Sequence, residues 1–172
     1  MSARFLGQIK TIWLQDHSDD RNRELVEDFA YVDGDGNEWK ASQGSIISGA
    51  SIPDAFWSVI GPPFVGNYRR ASVVHDVACE QQMSSSEKVH LMFYYAMLTD
   101  GVNWLQANTM YQAVKNFGPA WDEGVPTSFE TSRRPISEVD AHAFVQRVRV
   151  AADQAGDGAS PQEVERYLPQ DS

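Results

Sequence analysis

Three consecutive segments with an apolar stripe, between residues 68 and 117, constrain the fold of this 172-residue chain most strongly. They run from about Tyr68 to Met83, from about Glu87 to Thr99, and from Trp104 to Phe117. Within each segment apolar residues recur every three or four positions, which predicts amphipathic helices. Because only a few residues separate the segments, consecutive helices should be antiparallel neighbours. We therefore predict an antiparallel helical bundle in the middle of the chain.

The first third of the chain carries strand patterns instead. Residues 8–14 are rich in apolar and β-branched side chains. In residues 25–32 the positions Leu25, Glu27, Phe29 and Tyr31 form a segment with the two-residue period of a strand. The following Asp33-Gly34-Asp35-Gly36-Asn37 supplies glycines for a tight turn. It also begins like a calcium loop, but Glu38 stands where the EF-hand pattern requires glycine, so a hairpin turn is favoured. The predicted class is α+β, an N-terminal antiparallel β-hairpin or small sheet followed by the bundle.

The C-terminal third reads as a separate helical appendage. Residues 124–136 are predicted to be a polar linker between a main domain, 1–123, and residues 137–172. Ser160-Pro161-Gln162-Glu163 is a helix start signal, with an N-cap serine, proline at the first helical position and glutamate at the third. The apolar face of this appendage is thin. We therefore expect it to dock on the main domain or on another chain.

Composition excludes several classes of function. A formal net charge of −10 disfavours general nucleic-acid binding, which needs a basic surface. No apolar run reaches the roughly 18 residues of a membrane-spanning helix. Cys79 is the single cysteine, so no disulfide framework and no thiolate cluster for structural zinc is expected.

His75 and Asp76 are the residues with the clearest chemical potential. His75 falls on the apolar stripe of its helix, and His90 lies on the flank of the next stripe, so the two imidazoles could approach each other. His75 could act as a general base with Asp76 binding a cation. Alternatively, His75, Asp76 and His90 could hold a transition metal. In a purely architectural alternative, His75 hydrogen-bonds in the core and Asp76 bridges a loop.

Cys79 lies one helical turn after His75. Free cysteine is among the residue types most often buried, and it packs like a small apolar side chain. We therefore predict that Cys79 is a buried packing residue and not a nucleophile.

A set of short motifs between residues 44 and 118 resembles a known family. The motifs are Gly49-Ala50-Ser51-Ile52-Pro53, Phe56-Trp57, Tyr68-Arg69-Arg70-Ala71, Val74-His75-Asp76, Phe93 with Ala96-Met97, and Tyr111-Gln112-Ala113-Val114 with Phe117-Gly118. Together they resemble the domain-of-unknown-function family numbered 1353, found largely in bacteriophages and prophages. The resemblance implies a phage origin and carries no established activity.

The same pattern is more weakly similar to phospholipase A2. That similarity implies His75 as the base and Asp76 as a calcium ligand, with Gly61, Gly66 and Asn67 near the calcium loop. This chain departs from the pattern at two places. Ile47-Ser48 stands where the family usually has Thr-Asp, and His90 stands where the following helix usually carries an aspartate.

Two hypotheses of function follow. The first is a bacteriophage protein that acts through contacts with other phage or host proteins, as a virion component, using residues 137–172. It would be made in the host cytoplasm and carried in the virion. The second is a metal-dependent hydrolase like phospholipase A2, with His75 as base, His90 as its partner and calcium or zinc as the metal.

Overall fold

The computed structural model describes residues 2–14, 22–49, 51–61, 66–125, 127 and 134–169. Within these residues six short strands come first: β1 (Arg4–Leu6), β2 (Thr11–Trp13), β3 (Arg23–Leu25), β4 (Phe29–Val32), β5 (Glu38–Ala41) and β6 (Ile46–Ile47). They form two antiparallel three-stranded sheets, in the orders β1-β4-β5 and β2-β3-β6. The helices follow the strands, so the fold is α+β, as predicted.

The helices have clear boundaries. A 3₁₀ turn, Asp54–Phe56, leads into α1 (Trp57–Ile60), and then come α2 (Arg69–Gln81), α3 (Ser86–Thr99), α4 (Trp104–Phe117), α5 (Glu138–Ala155) and α6 (Pro161–Glu165). The three predicted central helices are confirmed as α2, α3 and α4. Within the described residues, none of these helices is long and apolar enough to cross a membrane.

The turn between β4 and β5 is held by one side chain. The Asp33 carboxylate accepts hydrogen bonds from the backbone nitrogens of Asp35 and Asn37, at 3.0 and 2.9 Å, and from Trp39 Nε1 at 3.1 Å. Aspartate side chains often accept hydrogen bonds from the backbone of their own turn in this way. Strands β4 and β5 pair antiparallel on either side of the turn, so the predicted hairpin is confirmed.

Capping side chains set the helix starts. Ser85 Oγ accepts from the backbone nitrogen of Lys88 at the start of α3, and Asn103 Oδ1 accepts from that of Gln106 at the start of α4. At α6 the predicted start signal forms a complete capping box between Ser160 and Glu163. Each cap satisfies amide groups that the helix itself leaves without partners.

Helix α5 contributes to the main hydrophobic core. Phe144, Val145 and Val148 are buried in the same cluster as residues of the sheets and of α2 to α4. The Phe144 ring centroid lies 4.9 Å from that of Phe117 and 6.0 Å from that of Phe56. The structure thus shows the apolar face of α5 packed into one core with the sheets and with α2 to α4. The division into domains 1–123 and 137–172 stays a prediction, and residues 126 and 128–133 of the predicted linker lie outside the described residues. The role of residues 137–172 in binding other proteins, and with it the virion role, stays a prediction.

Candidate functional site

The crossing of α2 and α3 brings His75 and His90 together. Both are buried, with 0% and 2% of their surfaces exposed. His75 Nε2 lies 2.9 Å from His90 Nδ1. The Phe93 ring stacks on His75 with a centroid distance of 4.4 Å, and Trp121 lies edge-on to His90 at 6.1 Å. Packing therefore fixes both imidazole rings, and the approach that the short α2–α3 connection indicated is realised.

Cys79 joins this histidine pair. Its Sγ lies 3.6 Å from His75 Nε2, because residues four apart lie on the same helix face. Within the described residues these three side chains form a group whose ligand atoms all lie within 4.8 Å of one another. Cys79 is buried, as predicted, but its Sγ also contacts the ring nitrogens of His75. The spacing of four residues between His75 and Cys79 was the sequence signal that their side chains would meet.

The second nitrogen of His90 fixes its tautomer. His90 Nε2 lies 3.0 Å from the carbonyl oxygen of Pro119, which can only accept a hydrogen bond. Nε2 therefore carries the hydrogen, and the lone pair of Nδ1 points toward His75. Burial lowers the pKa of His90 from 6.5 to about 4, against the opposing effect of the Pro119 hydrogen bond. At neutral pH the ring is uncharged and able to bind a metal.

Two of the separations between the donor atoms are close to those around a tetrahedral zinc ion. Usual zinc–nitrogen and zinc–sulfur bond lengths place two nitrogens about 3.3 Å apart, and nitrogen and sulfur about 3.6 Å apart. The observed separations are 2.9 Å between the two nitrogens and 3.6 Å between Cys79 Sγ and His75 Nε2. A hydrogen bond from a ligating histidine to a backbone carbonyl is also the usual outer support of such a ligand. An increase of about 0.4 Å in the distance between the two nitrogens would bring it to the value expected around zinc.

Asp76 has a different role from its neighbour. Its Oδ2 accepts hydrogen bonds from the backbone nitrogens of Ser48 and Gly49, at 2.8 and 2.6 Å, and its Oδ1 accepts from Ser51 Oγ at 3.1 Å. Successive helix residues point about 100° apart, so Asp76 faces the loop after β6 while His75 faces α3. Among the described residues, the cluster of possible metal ligands contains Cys79 and not Asp76. Asp76 instead bridges the loop after β6, as the architectural alternative predicted.

A cavity of about 580 Å³ adjoins the cluster. Its walls come from β6 and the loops beside β3 and β6, from the C-terminal half of α2 with the residue that follows it, and from the segment after α4. The lining residues are Asn22, Ile46, Ser48, Ser51, Asp76, Cys79, Glu80, Gln81, Gln82, Gly124, Val125 and Thr127. Cys79 belongs both to this wall and to the histidine cluster. The cavity and the cluster are thus neighbours that share one side chain.

Backbone strain concentrates at this cavity. Ser51 and Gln82 have φ angles of 55° and 50°, and they are the two non-glycine residues with positive φ in the described parts of the chain. Both line the cavity. The Gln82 side chain exchanges two hydrogen bonds with the backbone of Thr127, at 2.9 and 3.0 Å. Residues held in this costly conformation often occur at functional sites, and the sequence alone gave no sign of them.

The residues expected near a calcium loop lie elsewhere. A Cβ atom added at Gly61 or Gly66 would meet the Tyr68 side chain at 3.5 Å, so these glycines lie against the residue that precedes α2. Neither they nor Asn67 line the cavity. The segment between them, 62–65, lies outside the described residues.

Comparison with known sequences identifies the family. Residues 23–114 match a family described as "Protein of unknown function (DUF1353)", and this span is more than half of the chain. The chain belongs to the DUF1353 family. The matched span contains His75, Asp76, Cys79 and His90, whereas Pro119 lies beyond it.

Two curated relatives of this DUF1353 protein come from Sinorhizobium fredii. One, named "Uncharacterized protein y4jT", is 45% identical over 98 residues, which are 57% of this chain and 29% of the relative. The other, named "Uncharacterized protein y4iH", is 32% identical over 142 residues, which are 81% of this chain and 59% of the relative. The chain thus spans less than two thirds of the length of either relative. No solved structure matches it.

Proposed function

We propose that this DUF1353 protein binds a transition metal ion, best matched by Zn²⁺, through His75, Cys79 and His90. The observation that carries the proposal is the convergence of Sγ and two ring nitrogens, all within 4.8 Å of one another, at the buried crossing of α2 and α3. Two of the ligands come from one turn of α2 and the third from α3. The metal would therefore join the two central helices.

The donor set favours zinc over calcium. Calcium takes six to eight oxygen ligands, whereas thiolate and imidazole suit zinc and other transition metals. The carboxylate next to His75, Asp76, already accepts hydrogen bonds from Ser48, Gly49 and Ser51. The calcium alternative implied by the phospholipase similarity thus has less support than zinc.

The geometry also favours a shared ion over a cysteine–histidine catalytic pair. In a catalytic triad the nucleophile and the orienting group contact different nitrogens of the histidine. Here His75 Nε2 is the closest ring nitrogen to both partners, 2.9 Å from His90 Nδ1 and 3.6 Å from Cys79 Sγ. Atoms that gather around one point are typical of ligands to a common ion.

Metal content tests this proposal directly. The chain would be produced with a tag free of histidine, loaded with zinc, dialysed and analysed by elemental mass spectrometry. We expect one zinc ion per chain, and less in the variants Cys79→Ser and His90→Ala. With Co²⁺ in place of zinc, a thiolate-to-cobalt charge-transfer band should appear in the wild type and vanish in Cys79→Ser.

The chain offers a matched control for these variants. His142 lies on the surface of α5, far along the sequence from the cluster, and His142→Ala should keep the full metal content. A wild-type protein that retains no zinc after loading, or a Cys79→Ser variant that retains as much as the wild type, would refute the proposed site.

A further inference from the structure

A second and larger cavity lies between the β4–β5 hairpin and the helices α2 and α3. Its volume is about 1210 Å³, and its wall includes Trp39 of β5 and Ala78 of α2. Pockets for small molecules usually measure about 300–1,000 Å³, so this groove is larger than such a ligand needs. We propose that the groove binds a segment of another protein that combines apolar side chains with lysine or arginine. The inference is independent of the proposed zinc site.

The groove runs along one face of α3. Lys88, Met92, Tyr95 and Thr99 all line it, and their spacing of four, three and four residues keeps them on the same side of the helix. At a rise of about 1.5 Å per residue, these positions extend about 16 Å along α3. An extended chain of about five residues has the same length. A short peptide segment therefore matches the groove in length.

Several apolar side chains of the groove are open to solvent or lie just beneath its surface. Met83 and Tyr95 are 82% and 47% exposed, Trp39 is partly buried, and Met92 is buried. Aromatic residues and methionine are enriched where proteins bind one another, and methionine adapts to partners of different shape. An apolar surface with polar groups at its edge is typical of a site that binds another protein.

Carboxylates border the hairpin side of the groove. Asp33, Asp35 and Glu38 all line it, at or next to the β4–β5 turn. Burial opposes ionisation of Asp33, but hydrogen bonds from Asn37 and Trp39 outweigh it and lower the pKa of this carboxyl. Asp33 is therefore charged at neutral pH, and Asp35 and Glu38 are solvent-exposed. This side of the groove attracts a cationic group.

The lysines that line the groove are paired with carboxylates beside it. Lys40 Nζ lies 2.7 Å from Asp28 Oδ2, and Lys88 Nζ lies 2.9 Å from Glu123 Oε2. Neither Asp28 nor Glu123 is among the described lining residues. The lysine charges are thus matched locally, and the carboxylates of the turn decide which charge a partner should carry.

Synthetic heptapeptides test the inference. One set would carry lysine, arginine, leucine or phenylalanine at each position, and a matched set would carry glutamate or aspartate in place of the basic residues. An array would select the strongest binders, and isothermal titration calorimetry with the full chain would measure their dissociation constants. We expect the tightest basic peptide to bind about tenfold or more tightly than its acidic counterpart, because complementary charge gives specificity.

Paired variants separate the groove from the overall acidity of the chain. Asp35→Asn with Glu38→Gln removes two carboxylates from the groove. Asp153→Asn with Asp157→Asn removes two from α5 and the loop after it, which do not line the groove. Both double variants have the same net charge. The first should weaken binding of the basic peptide by about fivefold or more, and the second should leave it within about twofold.

Tyr95→Ala tests the apolar part of the groove. Truncation of an aromatic residue at the centre of an interface often costs about tenfold or more in affinity, and we expect that loss here. Tyr167→Ala is the matched control, because Tyr167 is 50% exposed, close to the 47% of Tyr95, and does not line the groove. The control should bind the basic peptide as the wild type does.

Three outcomes would overturn the proposal. The first is a basic set that binds no more tightly than the acidic set. The second is an equal loss of binding in the groove variants and their controls, which would show general attraction to an acidic protein. The third is a dimer of the free chain, seen by sedimentation velocity, that Tyr95→Ala separates into monomers. That result would show that the groove holds a second copy of this chain.

Discussion

The two flanks of α2 use neighbouring residues in different ways. On one flank, His75 meets a second imidazole and a thiol, at 2.9 and 3.6 Å. On the other flank, Asp76 meets hydrogen-bond donors, two backbone amides and one hydroxyl. On the Asp76 flank the carboxylate anchors the loop after β6, because it accepts all three of these hydrogen bonds. The His75 flank is a set of donor atoms to which a metal can bind. One helix can therefore present a structural anchor and a cluster of donor atoms on two adjacent residues.

Asp76→Ala should have the largest effect on stability. The substitution leaves the amides of Ser48 and Gly49 and the hydroxyl of Ser51 without their acceptor. A buried polar group that loses its partner costs about 1–3 kcal/mol, so we expect a loss on the order of 4 kcal/mol in the free energy of unfolding. Urea unfolding of the purified variant measures it.

Asp76→Asn sharpens this test. The amide keeps one oxygen as acceptor, so the loss should be about half of that for alanine. If Asp76→Ala costs less than about 1 kcal/mol, the carboxylate is not an anchor and the contrast between the two flanks is wrong.

Acid should destabilise the metal-free protein through His90, which contacts the His75 flank of α2. Burial lowers the pKa of His90 from 6.5 to about 4. Between these values the unfolded chain binds a proton that the folded chain does not, so stability is full above pH 6.5 and falls as the pH decreases to 4. The pKa difference corresponds to a loss on the order of 3 kcal/mol.

His90→Gln isolates this contribution, since other groups also titrate in the same range. Urea unfolding of both proteins at several pH values, with chelator present, gives the slopes. The variant should lose less stability than the wild type between pH 6.5 and pH 4. Equal slopes would show that His90 does not remain neutral in the fold.

Zinc should stabilise the wild type and leave the ligand variants unchanged. An ion that binds only the folded state at about 100 times its dissociation constant adds about 2.7 kcal/mol. Differential scanning fluorimetry with and without zinc should show this rise in Tm for the wild type and for Asp76→Asn. It should be absent in Cys79→Ser. A rise that depends on Asp76 and not on Cys79 would reverse the assignment of the two flanks.

Ser51 should give the smallest effect and a test of strain. Ser51→Ala removes the hydrogen bond to Asp76 and keeps the unfavourable φ of 55°, so it should cost about 1 kcal/mol. Ser51→Gly removes the same bond but relieves the strain, because glycine adopts positive φ at little cost. We expect Ser51→Gly to unfold at a higher urea concentration than Ser51→Ala. The opposite order would show that the backbone at residue 51 is not strained.

Local patterns predicted much of the fold. The apolar stripes of α2, α3 and α4 and the breakers between them fixed the central helices, and Ser160 with Glu163 marked the start of α6. The sequence pattern did not predict which strands pair with each other. Strands of two to four residues show too little alternation of apolar and polar side chains to select a partner. The division into two separate sheets was therefore found only in the structure.

For the candidate site, the sequence determined which donors exist and which share a helix face. It placed His75 and Cys79 one turn apart on α2, and the short α2–α3 connection brought His90 near them, since antiparallel neighbours must pack side by side. Tertiary structure alone decided that Asp76 turns to the loop after β6 and that Ser51 and Gln82 border one cavity. The hydrogen bond between Asp76 and Ser51 joins residues 25 positions apart, and that between Gln82 and Thr127 joins residues 45 positions apart. Such distant pairs are selected by packing of the whole core, which no local pattern encodes.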